Sequence, residues 1–291
     1  MKEPIDVVET RNTLGEGVLW DDIGGRVWWT DIQERRLHRY DRETRDLETF
    51  DLPERLGSFG FVEGCGKIIG AFESGFAFYE PETGSFEWLA RPPHGAGNIR
   101  FNDGRVDRRG RFWAGSMVEG EGPSAGKLYC FDASGSCEAM AHDIAISNSI
   151  CFSPDGGTMY FADSPRRVIH RYDIRPDGRL SNRRIFVTTP PGAFPDGSSV
   201  DSEGCVWNAH WGAGKLVRYT PAGKIAETID LPVSQPTCMA FGGDKLDHLF
   251  VTTAREGLSE QDLARQPLAG ALFVYEVAVP GLPEQRFTVR A

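Results

Sequence analysis

Residues 25–41 read GRVWWTDIQERRLHRYD, and this stretch decides the fold because its pattern recurs along the chain. It consists of a turn residue, a short apolar and aromatic run, a polar break, and a second apolar run that closes on an acid. Three further clear copies and two weaker ones begin at Gly110, Gly157, Gly204, Gly66 and Asp247. Short runs rich in β-branched and aromatic residues, bounded by Gly, Asp, Pro and Ser, are typical of strands joined by hairpins.

The period of the repeat predicts the architecture. The second apolar or aromatic residue of each first run serves as a marker, and successive markers lie 41 to 47 residues apart. The markers are Trp28, Ile69, Trp113, Tyr160, Trp207 and Phe250. This spacing is close to the per-blade period of a β-propeller, and no long stretch has helical periodicity. The sequence therefore predicts an all-β fold, a six-bladed β-propeller with four antiparallel strands per blade, in which residues 1–291 form a single domain.

The N- and C-terminal segments are expected to close the ring. VVETR (residues 7–11) and QRFTVRA (residues 285–291) are both strand-like, and one of them is expected to complete the last blade, since this removes an exposed sheet edge. Residues 258–265 predict one short helix or turn with Ser259 as its cap. The count of six repeats disfavours a seven-bladed propeller and a β-sandwich. A receptor-type propeller with YWTD repeats, which WWTD and YFAD resemble, would be extracellular and disulfide-linked.

Composition argues against several functional classes. The net charge of -10 argues against nucleic-acid binding, which needs a basic face. The start, MKEPIDVVET, is charged, and no stretch resembles a signal peptide or a membrane span. None of the six cysteines forms a CxxC pair, so they are expected to be reduced and to pack as small hydrophobes. These features predict a cytoplasmic protein with no membrane association and no obligate protein partner.

The motifs of several other enzyme classes are not found in the sequence. The six histidines form no HExxH, and GEGVLW lacks the GxSxG pattern of a nucleophile elbow. There is no Walker loop and no Rossmann fingerprint. A serine-triad hydrolase is therefore disfavoured.

The repeat instead indicates where chemistry is to be expected. In a four-stranded meander, the start of each innermost strand lies at one mouth of the central channel, eleven or twelve residues before each marker. Four of these six positions carry an acid or an amide, namely Glu16, Asn102, Asn148 and Asp196. Converging oxygen donors suit a divalent cation such as calcium, magnesium, zinc or manganese. Taken singly, stretches such as Asn102-Asp103-Gly104 and Pro195-Asp196-Gly197 are more often turns than ligand sites.

The loops that join the second and third strands of each blade are expected at the same mouth. They would contribute Met117 to Glu121, Ser164, His210 with Trp211, and Arg255 to a substrate pocket. Arg100, two residues before Asn102, is a further candidate, with a surface ion pair as its alternative role.

At these residues the chain resembles the SMP-30/gluconolactonase/regucalcin family of sugar lactonases. Its hallmark segments occur in order over nearly the whole chain. They are LGEGVLW (14–20), RFNDGRVDRRGRFWAGSM (100–117), ISNSICFSPDG (146–156) and PDGSSVDSEGCVW (195–207). QPTCMAFGG and TTAREGL look like the bacterial sugar-lactonase branch.

The resemblance implies a six-bladed propeller with one divalent metal in the channel mouth. Calcium or zinc is the first expectation, and magnesium, manganese or iron are alternatives. Glu16, Asn148 and Asp196 would be the metal ligands, and Asp196 would also be the catalytic acid/base. Arg100 and Asn102 would hold the substrate. The family's acidic substrate contact would fall at Gly120, so its neighbour Glu119, or alternatively Glu121, is expected to replace it.

The implied activity is metal-dependent hydrolysis of a sugar lactone to its aldonic acid in sugar catabolism. Glucono-, xylono-, arabinono- and galactonolactone are the candidate substrates. One alternative is a regucalcin-like calcium-binding protein without turnover. Others are a paraoxonase-like or phosphotriesterase-like hydrolase on the same fold, which would have an apolar mouth, and a recognition propeller that binds no metal.

Overall fold

The computed structural model describes residues 2–93, 98–120 and 122–289. Within these ranges, twenty-four strands form six four-stranded antiparallel sheets. The innermost strand of each sheet contacts the innermost strands of both neighbouring sheets, so that the six sheets close into a ring. The six-bladed propeller predicted from the repeat is confirmed.

The strands follow one another from the centre of each blade outward. Strand β1 (Asp6–Val8) precedes blade 1 in the chain and is not part of it. Blade 1 contains β2 (Gly15–Asp21), β3 (Arg26–Asp31), β4 (Arg36–Tyr40) and β5 (Leu47–Asp51). Blade 2 contains β6 (Leu56–Phe61), β7 (Ile68–Phe72), β8 (Gly75–Glu80) and β9 (Ser85–Ala90). Blade 3 contains β10 (Ile99–Val106), β11 (Phe112–Val118), β12 (Gly126–Phe131) and β13 (Cys137–Ile144).

The second half of the ring repeats this order. Blade 4 contains β14 (Ser147–Phe152), β15 (Thr158–Asp163), β16 (Val168–Ile174) and β17 (Leu180–Thr188). Blade 5 contains β18 (Phe194–Val200), β19 (Val206–Trp211), β20 (Lys215–Tyr219) and β21 (Ile225–Asp230). Blade 6 contains β22 (Pro236–Gly242), β23 (His248–Thr253) and β24 (Leu272–Glu276). All six marker residues lie on the second strands, as the repeat predicts.

The ring is closed in blade 6, where β1 from the N-terminal segment pairs with β24. The N-terminal segment therefore supplies the outer strand of the last blade, through Asp6 and the first two residues of VVETR. QRFTVRA takes a different course: Phe287 forms a parallel bridge with Val62, and its amide donates to the carbonyl of Phe61 at 2.7 Å. The C-terminal segment thus fastens onto blade 2. The same blade 6 carries the expected short helix α1 (Glu260–Arg265), capped by Ser259.

Aromatic side chains fill the spaces between neighbouring blades. Trp20 of blade 1 stacks on Phe250 of blade 6, with ring centroids 5.5 Å apart. Phe76 of blade 2 packs edge-on against Phe101 of blade 3 at 4.9 Å. Because full burial of a large apolar side chain contributes about 1.5–3 kcal/mol, these contacts hold each blade against the next. None of the helices in the described ranges is long and apolar enough to span a membrane.

The cysteines are free thiols, and four of the six are buried. Burial raises the pKa of Cys137 to about 11 and holds the pKa values of Cys130 and Cys151 still higher. These thiols are therefore neutral packing groups near neutral pH, as expected.

Each innermost strand carries a shift of register against the second strand of its blade, close to where the strand begins. The shifts lie between Glu16 and Leu19, Leu56 and Ser58, Phe101 and Gly104, Asn148 and Cys151, Pro195 and Ser198, and Pro236 and Met239. Such a bulge leaves a residue unpaired and re-aims the neighbouring side chain. The four candidate residues found from the repeat therefore lie at irregular points in strands, and the turns considered for them are not formed.

The backbone after two of these residues is left-handed. Gly17, after Glu16, has φ of 58°, and Ser149, after Asn148, has φ of 62°. A non-glycine residue in this region costs energy and needs support from its surroundings. Ser149 has that support, because its hydroxyl donates to the carbonyl of Asp196 at 2.6 Å and accepts from Nδ2 of Asn208 at 3.0 Å.

Candidate functional site

A cavity of about 290 Å³ opens at the mouth of the channel where the innermost strands begin. Five of the residues predicted from the sequence line it: Glu16, Arg100, Asn102, Asn148 and Asp196. Seven of the other lining residues are apolar or aromatic, and they are Leu14, Met117, Ile146, Pro165, Phe194, Pro195 and Trp211. The mouth therefore combines an apolar wall with a polar floor.

Carboxylates are concentrated at the floor. Glu16 and Asp196 are 5% and 6% exposed, and Asp103 beside them is 7% exposed. Burial, together with the charge of Asp103, raises the pKa of Glu16 to about 8. Burial, followed by the charges of Glu16 and Asp103, raises the pKa of Asp196 well above its ordinary range. Ionisation of all three carboxylates is therefore unfavourable, because burial removes them from water and their negative charges repel one another.

Asp103 is held in place by the backbone of the next blade. Its Oδ2 accepts from the amide of Ile150 at 2.6 Å, and burial raises its pKa to about 6. By contrast, Oδ1 of Asp196 is buried and has no hydrogen-bond partner among the described residues. A buried carboxylate oxygen without a donor is uncommon in folded proteins, so this atom is a candidate contact for a ligand or an ion.

The amides of Asn102 and Asn148 are fixed by a chain of hydrogen bonds. Nδ2 of Asn102 donates to Oδ1 of Asn148 at 2.9 Å. Nδ2 of Asn148 donates to Oγ of Ser164 at 2.8 Å, and that hydroxyl donates to the carbonyl of Pro195 at 2.7 Å. Because each donor has a defined acceptor, the oxygen of Asn148 is the atom available to a cation.

Arg100 is almost fully buried and is held from two sides. Its Nη1 donates to Oδ1 of Asn102 at 2.7 Å, and its Nε donates to Oε1 of Glu119 at 2.8 Å. The same oxygen of Glu119 accepts from Nη1 of Arg55 at 2.8 Å. Burial opposes ionisation of Glu119, but the hydrogen bonds from Arg55 and Arg100 outweigh it and lower its pKa. Glu119 thus touches two guanidinium groups and is not among the residues that line the cavity.

A third carboxylate on the cavity wall, that of Glu256, was not found by the sequence reasoning. It follows Arg255, which was predicted for the mouth but does not line the cavity. Oε1 of Glu256 accepts from Nε2 of Gln33 at 2.5 Å, and Oε1 of Gln33 accepts from Nη1 of Arg55 at 3.3 Å. The repeat itself could have pointed to Gln33 and Glu256, since each lies in the loop after the second strand of its blade.

The remaining predicted mouth residues divide in the same way. Ser164, Met117 and Trp211 line the cavity. His210 lies behind it, where its Nε2 is 3.0 Å from the hydroxyl of Tyr219. Glu121 lies outside the described residues.

The floor offers oxygen donors of the kind that bind a divalent cation. Within the described ranges, no group of three or more His, Cys, Asp or Glu side chains is arranged to hold a metal. The predicted set, however, has two carboxylates and an amide. The unpartnered Oδ1 of Asp196 and the fixed oxygen of Asn148 are the donors that a hard or borderline cation prefers. The residues present fit such an ion.

Comparisons with known proteins bear on the whole chain. Residues 14–255 match the model of the family described as SMP-30/Gluconolactonase/LRE-like region. A 6-deoxy-6-sulfogluconolactonase of Pseudomonas putida is 39% identical over 97% of this chain and 97% of its own. An L-arabinolactonase of Azospirillum brasilense is also 39% identical, over 97% of this chain and 94% of its own.

A solved structure agrees with the family match. The crystal structure of a calcium-binding protein, regucalcin, from Agrobacterium tumefaciens has a TM-score of 0.92 and 32% identity, and covers 98% of this chain and 97% of that chain. The resemblance seen in the sequence motifs is thereby confirmed. This chain belongs to the SMP-30/gluconolactonase/LRE-like family.

Proposed function

We propose that this protein is a lactonase that hydrolyses a sugar lactone to the aldonic acid, with one divalent cation held at the floor of the cavity. The observation that carries the proposal is the buried pair Glu16 and Asp196, with Oδ1 of Asp196 unpartnered. The names of the relatives, sulfogluconolactonase and arabinolactonase, support the same reaction class. The proposal includes the predicted cytoplasmic location and residues 1–291 as one domain.

Glu16, Asn148 and Asp196 would hold the cation. When bound, it would supply positive charge that polarises the lactone carbonyl and offsets the repulsion between the two carboxylates. Calcium and zinc are both compatible with this donor set.

Asp196 is proposed as the acid/base residue. Its Oδ1 is the atom proposed to face the cation, and the other oxygen of the same carboxylate is proposed to take a proton from the attacking water. Hydrolysis breaks the acyl–oxygen bond of the ring, and the same carboxyl returns the proton to the ring oxygen as that oxygen leaves as a hydroxyl. The ionised form needed for the first step requires a positive charge nearby, because burial and the charges of Glu16 and Asp103 keep the pKa of Asp196 high.

Arg100 and Asn102 are proposed to position the substrate. Both Nδ2 hydrogens of Asn102 are already used, one by the carbonyl of Ser147 and one by Asn148. Its oxygen accepts from Arg100 and keeps one lone pair for a substrate hydroxyl. The apolar wall lets the face of a sugar ring pack while its hydroxyl groups meet the polar floor.

The test is a panel of aldonolactones assayed by acid release, with chelator-treated protein and restored metal. We expect turnover of at least one pentono- or hexonolactone, loss after chelation and recovery on metal addition. Asp196→Asn should lower kcat by a factor of at least about 10³ while the circular-dichroism spectrum is retained. Metal binding with no turnover of any lactone would instead support the calcium-binding alternative.

A further inference from the structure

Glu256 is a carboxylate on the cavity wall for which the preceding mechanism has no use. It lines the cavity together with Glu16, Arg100 and Asp196. Its Oε1 accepts from Gln33, whereas its Oε2 has no hydrogen-bond partner among the residues that the structure describes. One acceptor oxygen is therefore available to a molecule in the cavity.

The backbone of Glu256 is fixed on both sides, which makes its side chain a preorganised contact. Its amide donates to the carbonyl of Thr13 at 2.9 Å, and its carbonyl accepts from Nε2 of Gln235 at 3.1 Å. The Gln33 amide, itself held by Arg55, then sets the direction of the carboxylate. Groups held in this way lose little freedom when they bind a ligand.

Glu119, the acid expected to contact the substrate, is differently placed. Its Oε1 accepts from both Arg55 and Arg100, and it does not line the cavity. Glu119 neutralises Arg100, which is the one cationic side chain among the described residues of the lining. The other two carboxylates of the lining, Glu16 and Asp196, would be offset by the bound cation. Among the described residues of the lining, Glu256 is therefore the carboxylate whose negative charge has no positive partner.

We propose that Glu256 determines specificity by accepting a hydrogen bond from a hydroxyl of the lactone, an inference that rests on the proposed function. The substrate is then an uncharged polyhydroxy lactone, and anionic lactones are rejected. A hydroxyl donated to a carboxylate forms a charge-assisted hydrogen bond. A sulfonate, phosphate or carboxylate in the same place would meet a like charge in a partly desolvated site.

The experiment compares wild type with the isosteric variant Glu256→Gln and uses Glu119→Gln as the control. Each is assayed for kcat and KM on an uncharged hexonolactone, on its singly deoxygenated analogues, and on a lactone bearing a sulfonate at the terminal carbon. Wild type is expected to prefer the uncharged lactone to the sulfonated one by about 100-fold in kcat/KM. Glu256→Gln should lower kcat/KM for the uncharged lactone about 10- to 100-fold, mainly through KM, and should shrink that preference.

The analogue series gives a readout that a merely structural role would not produce. In wild type, removal of one particular hydroxyl from the lactone should lower kcat/KM about as much as Glu256→Gln lowers it for the parent lactone. In Glu256→Gln, removal of the same hydroxyl should lower kcat/KM little further. Glu119→Gln, which loosens Arg100, should weaken all lactones alike. The inference is overturned if wild type prefers the sulfonated lactone, or if Glu256→Gln leaves the preference and the analogue pattern unchanged. Wild type inactive on every lactone would overturn the proposed function itself, and this inference with it.

Discussion

Nδ2 of Asn102 donates to Oδ1 of Asn148 at 2.9 Å, across the boundary between blades 3 and 4. This contact and the bond from Asn148 to Ser164 leave the Asn148 amide in one orientation, with its oxygen at the floor of the cavity. A residue proposed to hold the substrate thereby also positions a proposed metal ligand.

Asn102→Ala and Ser164→Ala are each expected to weaken metal binding about 10- to 100-fold, because either change frees the Asn148 amide to rotate. Isothermal titration calorimetry with calcium and zinc measures this directly. Ser116→Ala serves as the control, since among the described residues the Ser116 hydroxyl bonds only to Lys127 of its own blade. Unchanged affinity in both test variants would show that Asn148 is not a ligand.

Without metal at pH 8, Asp196→Asn is expected to be more stable than wild type, since it removes one of three crowded carboxylates with raised pKa values. Saturating cation should reverse the order. At a concentration about 100 times its Kd, it adds about 2.7 kcal/mol to wild type and little to the variant. Thermal unfolding with and without metal measures both effects. A variant that gains as much stability from metal as wild type would contradict the ligand assignment.

His38 is expected to make the protein sensitive to mild acid. Burial, with a smaller effect of Arg36, lowers its pKa from 6.5 to about 4. The folded state thus favours the neutral ring. The protein therefore keeps its full stability with respect to His38 above about pH 6.5 and loses part of it as the pH falls towards 4. The loss amounts to roughly 3 kcal/mol. Denaturation of wild type and His38→Gln at several pH values in this range measures the free energy of unfolding, which should fall less steeply with decreasing pH in the variant. Parallel plots of free energy against pH would refute the prediction.

Phe287→Ala is expected to reduce the free energy of unfolding by about 3–5 kcal/mol. The Phe287 ring is 1% exposed and stacks on Phe131 at 5.8 Å, so its removal leaves a cavity between blades 2 and 3. Val289→Ala, at a position 41% exposed, is the matched control and should change little. Urea denaturation distinguishes the two variants, and equal stabilities would mean that the C-terminal segment does not brace the ring.

The fold was predictable because each blade repeats the same apolar and turn pattern, with Trp113 and Trp207 at equivalent buried positions. The floor of the site was predictable for the same reason, since Glu16, Asn148 and Asp196 share one register. The course of the C-terminal segment was not predictable, because strand-like composition does not say which edge a segment meets. Glu256 could have been found from the repeat, which places it in the loop after the second strand of blade 6. The Arg55–Glu119 contact could not, because it depends on two long side chains that meet across blades.

The register shifts described for the six innermost strands have a consequence for how such a site can change over generations. Since the shift recurs at the same place in every blade, a substitution there exchanges a side chain at a point where the ladder of strand pairing is already interrupted. Blades 2 and 6 now present Ser58 and Cys238 near these shifts. Both side chains are buried beside the floor rather than on it, so a larger donor at either position would have to displace its neighbours before it could reach a ligand.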